Sequence, residues 1–235
     1  MIPSSFELVS IHVPKVAGSS FWYSLRAKYG YKHPLRFLCK KTGFCQPIVR
    51  LDVDDDGTIN IDGRKSLPDR IPNRVKVIHG HFSYQFYKDN FRNEDSTKLV
   101  TWVREPLERL MSNYLYFRKI IYESIKYEHT RKFAYPLMEK NFMEFAREKN
   151  NQNLMSKYIG DNCLSEYAFV GVQEKYDSEV ERFSKVLGWK NFEKYYQNKT
   201  DAKPVQLTEV ELEEIKTYNF KDYQLYNYAV ELSSK

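Results

Sequence analysis

Three short stretches of this 235-residue chain carry side chains able to hold anions or to move protons. The first is HVPKVAGSS, His12 to Ser20. It has a lysine in a proline-containing turn, one glycine, and two serines where a helix could begin. The N–H groups and dipole of a helix N-terminus attract anions, and a glycine allows close backbone approach. The stretch is not a GxxxxGK[ST] loop, because Lys15 precedes Gly18 and no first glycine exists. Its plain alternative is a capping Ser19 beside a solvated Lys15. The second stretch, VTWVREPLERLMSNY, puts Arg104 at the end of an apolar run and Ser112 eight residues on, about two helical turns later. The guanidinium fork suits phosphate; a pairing of Arg104 with Glu105 or Glu108 is the alternative. The third, VIHGHFSYQ, sets His79 and His81 two residues apart around Gly80. Histidine is the usual general base near neutral pH. A core histidine at 79, or a two-histidine metal pair lacking a third ligand, are the competing readings.

These residues need a scaffold that gathers them. FELVSIHV (6–13), VKVIH (75–79), KLVTWV (98–103) and AFVGV (168–172) read as buried strands. Phe21, Ser24, Leu25 and Lys28 keep helical spacing from Ser19 onward, with Gly30 as a stop. Leu107, Leu110, Met111 and Tyr114 do the same in a long helix from Glu105, residues 137–159 are mostly helical, and EVERFSKVLGW and LTEVELEEIKTYNFKDYQLYNYAVEL give late helices. Strands alternating with helices predict an α/β fold, a single domain over 1–235 with a mostly parallel central sheet. Ligands of such sheets bind at the strand ends. Two anion sites at neighbouring strand ends fit a ligand with two phosphate groups.

Residues 31–73 are read as a loop-rich insertion with at most one hairpin. Within them Asp52, Asp54, Asp56 and Gly57 imitate the start of a calcium loop, but its twelfth position is Gly63 where a bidentate glutamate belongs. An acidic turn around Asp56-Gly57 is the preferred reading.

The net charge of +6 favours an anionic partner without choosing one, and the 19 Tyr and 15 Phe argue for a folded globule. No apolar run reaches the ~18–20 residues of a membrane span. With no signal-peptide pattern and only three cysteines, a cytoplasmic location is expected. Cys39 and Cys45 are read as reduced thiols, although they could pair if oxidised. A P-loop kinase or NTPase would need GK[ST] and a magnesium-binding carboxylate. A polyanion-binding protein without catalysis is permitted by the charge, yet basic residues are interleaved with acids and no nucleic-acid signature is present.

PKVAGSS resembles the 5′-phosphosulfate loop of sulfotransferases that use 3′-phosphoadenosine 5′-phosphosulfate (PAPS). REPLERLMSNY is similar to their 3′-phosphate motif, with Glu105 where aspartate is common and Val16 where threonine is common. The HGH segment resembles that of the heparan and dermatan uronosyl 2-O-sulfotransferases, and FVGVQEKYD and NFKDYQLYNYA are similar to carbohydrate-type members. The resemblance implies a P-loop-NTPase-like sulfotransferase fold. It implies that Lys15, Ala17, Gly18, Ser19 and Ser20 hold the 5′-phosphosulfate, with Lys15 also stabilising charge during transfer. Arg104 and Ser112 would hold the 3′-phosphate, His81 would be the base with His79 in support, and no metal is required. Glu108 is the next candidate base, and His12 is read as packing or lid. The partners implied are PAPS, its product 3′,5′-adenosine bisphosphate (PAP), and a hydroxyl acceptor. That acceptor is a sugar on a glycan or glycoconjugate, with a small metabolite as the alternative. Its contacts are expected from residues 31–73 and 120–160.

Overall fold

Strand β1 (Leu8–Ile11) is buried at every position, as a strand covered on both faces must be. It pairs in parallel with β4 (Val77–Gly80) on one side and β5 (Lys98–Val103) on the other. Parallel pairing continues from β5 to β6 (Phe169–Val172) and from β4 to β2 (Ile48–Val53), and β3 (Ile59–Ile61) closes the edge antiparallel to β2. The six-stranded order is therefore β3-β2-β4-β1-β5-β6. The computed structural model describes residues 6–30, 46–91, 96–128, 134–135, 137–161, 163–196 and 205–234. Among these, no helix is long and apolar enough to cross a membrane.

Helices follow four of the parallel strands: α1 (Gly18–Lys28) after β1, α2 (Tyr84–Asn90) after β4, α3 (Pro106–Ser124) after β5 and α6 (Tyr176–Val186) after β6. Between α3 and β6 lie the short helices α4 (Phe142–Arg147) and α5 (Leu154–Ile159). After α6 come α7 (Glu209–Tyr218) and α8 (Phe220–Ser233). This is the single α/β domain with a mostly parallel sheet that the alternation predicts. Its C-terminal strand ends bring Lys15, His81 and Arg104 to one side of the sheet.

Residues 46–73, the described part of the 31–73 segment, differ from their reading as loops. The predicted hairpin is there, β2 with β3, but β2 is also a full member of the central sheet, with Ile48, Val49 and Leu51 buried. Gly80 makes that neighbour possible: a Cβ on it would lie 1.8 Å from the Leu51 carbonyl oxygen. The acidic stretch forms the hairpin tip, where the Gly57 N–H donates to the Asp54 carbonyl at 2.9 Å and Gly57 has φ +81°. Cys39 and Cys45 lie outside the described residues.

Aromatic packing fixes α1 and α6 against the sheet. The Phe21 ring is fully buried and meets Trp102 at 5.4 Å and Phe183 at 5.0 Å between centroids. Removing such a ring costs about 3–5 kcal/mol. A buried ion pair ties α3 to α8. Arg109 and Asp222 are both 0% exposed, 4.0 Å apart, and Arg109 Nη2 donates to the Asn151 carbonyl at 3.0 Å. Asp222 accepts from the Met155 and Ser156 N–H groups at 3.0 and 2.8 Å, so it also caps α5. Arg109 thereby anchors α3 five residues past Arg104.

Candidate active site

Between β1 and α1 the chain turns through two left-handed non-glycine residues, Lys15 (φ 69°) and Ala17 (φ 40°). Each such residue costs about 1–3 kcal/mol unless its surroundings enforce it. Here Val16 is buried, the Phe21 N–H donates to the Ala17 carbonyl at 3.0 Å, and the Ala17 N–H donates to Gln173 Oε1 at 2.7 Å. Ala17 is the N-cap of α1 and gives it no side-chain cap. Ser19 is thus inside the first turn and is not the N-cap that the plainer reading supposed. Successive N–H groups in such a turn form a concavity for anions.

Gly18 has a different reason from the one expected. A Cβ there would fall 1.7 Å from His12 Nε2. The space is taken by an imidazole of the protein itself. His12 packs between the other two histidines, with ring centroids 5.1 Å from His79 and 4.3 Å from His81. Its predicted packing role agrees with that stack.

His79 is 3% exposed, stacks on Trp22 at 5.3 Å, and has Nδ1 within 2.9 Å of Ser10 Oγ. Burial lowers its pKa to about 3, so it is neutral at ordinary pH. His81 follows the end of β4 and is only half-buried. Its Nδ1 lies 2.8 Å from the His12 carbonyl oxygen. A carbonyl only accepts, so Nδ1 carries the proton and Nε2 keeps its lone pair. The His81 N–H donates to Asp52 Oδ1 at 3.1 Å. Burial is the main influence on this imidazole and lowers its pKa; the His12 carbonyl and Asp52 oppose that shift.

Lys15 Nζ sits 4.2 Å from the centroid of the Tyr116 ring, a cation–π contact. Burial, then the charges of Arg104 and Lys119, lower its pKa. Arg104 Nη2 pairs with Glu108 Oε2 at 3.3 Å, and Nη1 reaches the Lys15 carbonyl at 3.5 Å. The pairing with Glu108, the alternative to phosphate binding in the sequence reading, is therefore present. Ser112 faces the same cleft from α3. Lys15, Ala17, Gly18, Ser19, Ser20, His79, His81, Arg104 and Ser112 all line one cleft of about 930 Å³.

Sequence reasoning missed four neighbours. Gln173 follows β6 and steadies Ala17; its place after a parallel strand was the available signal. Tyr116 shares a face of α3 with Ser112, four residues on, a spacing visible in the sequence. Asp52 and Arg50 were hidden in the segment read as loops, although they flank Leu51 on β2 and ion-pair at 2.6 Å. A second cavity of about 620 Å³ adjoins the cleft, sharing Pro14, Arg50 and His81 and adding Asp54, Asp55, Asp56 and Tyr158.

A sequence model described as the sulfotransferase family matches residues 1–229. The chain belongs to the sulfotransferase family. No curated protein matches this sulfotransferase-family chain significantly. Among solved structures it is similar to mouse sulfotransferase SULT7A1 complexed with PAP, at 10% identity and a TM-score of 0.42, over 92% of this chain and 65% of that one. It thus spans under two thirds of the mouse protein. It is also similar to a sulfotransferase from Alicyclobacillus acidocaldarius, at 11% identity and a TM-score of 0.45, over 97% and 96% of the two chains.

Proposed function

We propose that this chain transfers a sulfuryl group from PAPS to a hydroxyl, and that the acceptor is a carbohydrate. The observation that carries the reading is convergence. An uncapped helix N-terminus, Lys15 and Arg104 meet an imidazole with a free Nε2 in one cleft at the C-terminal ends of β1, β4 and β5. Family membership supports the same chemistry. His81 Nε2 takes the acceptor proton as the new O–S bond forms. The S–O bond to the 5′-phosphate breaks, and PAP leaves with that electron pair. Lys15 offsets charge on the moving group and on the bridging oxygen. The N–H groups of Gly18, Ser19 and Ser20 hold the 5′-phosphate, and Arg104 with Ser112 holds the 3′-phosphate. Such a step rests on positioning and electrostatics. His79, buried on the far side of His12 in the same stack, orients His81 through that ring.

The resemblance of the HGH segment supports the carbohydrate acceptor. The low cysteine count supports a cytoplasmic location. Thermal shift tests the donor: PAP should raise Tm well above what AMP or ATP with magnesium achieves, and Arg104→Ala should remove about 1.5–3 kcal/mol of PAP binding while leaving AMP binding nearly unchanged. Equal loss for both nucleotides would reassign Arg104. Turnover of PAPS against a panel of glycans and small alcohols tests the acceptor.

A further inference from the structure

The second cavity, of about 620 Å³, meets the donor cleft at Pro14, Arg50 and His81. Its place in the active site rests on His81 and on its volume, independent of what else lines it. If His81 is the base, an acceptor must reach Nε2, and this cavity reaches the same imidazole from beyond the phosphate loop. Its chemistry then describes the acceptor. Four carboxylates, Asp52, Asp54, Asp55 and Asp56, line it against the single guanidinium of Arg50. Arg50 is engaged by Asp52 at 2.6 Å. Among the described residues no cation pairs with Asp54, Asp55 or Asp56, and these carboxylates do not converge as metal ligands. The Tyr158 ring forms part of the same wall as these acids, and burial, followed by the charges of Asp55, Asp52 and Asp54, raises the pKa of its hydroxyl. The cavity is anionic in a protein whose net charge is +6.

Resting on the sulfuryl-transfer reading, we propose that the acceptor is a sugar bearing an ammonium group, seated between Tyr158 and the Asp54–Asp56 turn, and not a sulfated or uronic-acid glycan. A polyanionic chain would bring its charge against three unneutralised carboxylates. An aminated sugar places its cation on them and presents a hydroxyl to His81. Tyr158 adds an aromatic ring to the lining, the kind of group on which a sugar ring lies.

Calorimetry on the full chain, with and without saturating PAP, tests this with three probes: a glucosamine trisaccharide, its fully N-acetylated form, and a uronic-acid oligosaccharide. At low salt the aminated probe should bind roughly tenfold or more tighter than the acetylated one, and the margin should shrink as salt screens it. The triple variant Asp54→Asn, Asp55→Asn, Asp56→Asn keeps the hairpin's hydrogen-bonding atoms and should bring the ratio close to one while PAP affinity stays the same. Equal binding of aminated and acetylated probes, preference for the uronate, absence of binding by any probe, or a ratio unchanged in the triple variant would each overturn the proposal. Failure of PAP to bind is a separate result. It would refute the donor assignment, and the amine preference would still be read on the PAP-free protein.

Discussion

The two cavities that meet at His81 share a wall and differ in sign. On the side proposed for the donor, the loop after β1 offers backbone N–H groups with Lys15 and Arg104, and its carboxylate, Glu108, is tied to Arg104. On the other side the hairpin tip offers carboxylates with one engaged arginine. The donor side is built of buried or half-buried parts: strained backbone, a helix N-terminus, and cations whose hydration is already reduced. The acidic side is built of exposed side chains on a turn. Charge in the first region is therefore preorganised and resistant to salt, whereas charge in the second is screened and steers more than it grips. A transfer enzyme gains from that difference, because the donor must be held in one geometry and the acceptor must come and go.

The shared wall gives the largest test of the contrast. His81→Ala should lower kcat by about 10²–10⁴ and leave PAP affinity nearly unchanged. A supporting residue should matter less, so His79→Ala is expected to fall short of that loss on the same acceptor. The sign of the pH dependence follows from burial. Because burial lowers the folded pKa of His81 below its ordinary value, the proposed base stays neutral to lower pH than a free imidazole does, and the rate should fall only as pH drops through that lowered pKa. An acid limb centred above 6.5 would show that burial does not govern this imidazole.

Next come the residues that make the donor side cationic. Lys15→Ala should cost about 10² or more in kcat. Tyr116→Leu removes the ring beneath Nζ and should cost a smaller factor, of the order of a 0.5–2 kcal/mol contact, with Tyr116→Phe retaining most activity. Single-turnover rates with PAPS read both, and a Tyr116→Leu variant as fast as the parent would show that Lys15 needs no ring to hold it. The smallest effect is expected at Glu108, which is exposed and pairs with Arg104 at 3.3 Å. Glu108→Gln frees Arg104 and should tighten PAP by no more than about 1 kcal/mol, measured by calorimetry. A loss of affinity there would mean that the pair orients Arg104 instead of competing for it.

Much of this contrast was legible on one side only. β1, β4, β5 and β6 announced themselves because strands buried on both faces are short apolar runs between turn residues. Arg104 and the loop proposed to hold phosphate follow those runs directly, so their places at strand ends came with the strands. β2 did not announce itself. Its sequence, IVRLDV, carries Arg50 and Asp52 among the apolar residues and lies in a stretch rich in proline and aspartate. Those same two charges are what turn the segment into a wall of the site. Contacts spanning long separations were equally hidden: Gln173 to Ala17 crosses 156 positions, and Asp52 to His81 crosses 29. The tautomer of His81 depends on a carbonyl 69 residues earlier in the chain, which no local pattern encodes.

The interlock between His12 and Gly18 has a consequence for how relatives of this chain can vary. The imidazole fills the volume that any side chain at 18 would need, and it also separates His79 from His81. Substitution at either position alone therefore meets a barrier: a bulkier residue at 18 displaces the ring, and a smaller one at 12 leaves the histidine stack with a gap. In an alignment of family members the two columns should change together. Histidine at 12 should be found only with glycine at 18, and alanine or serine at 18 should be accompanied by a shorter residue at 12.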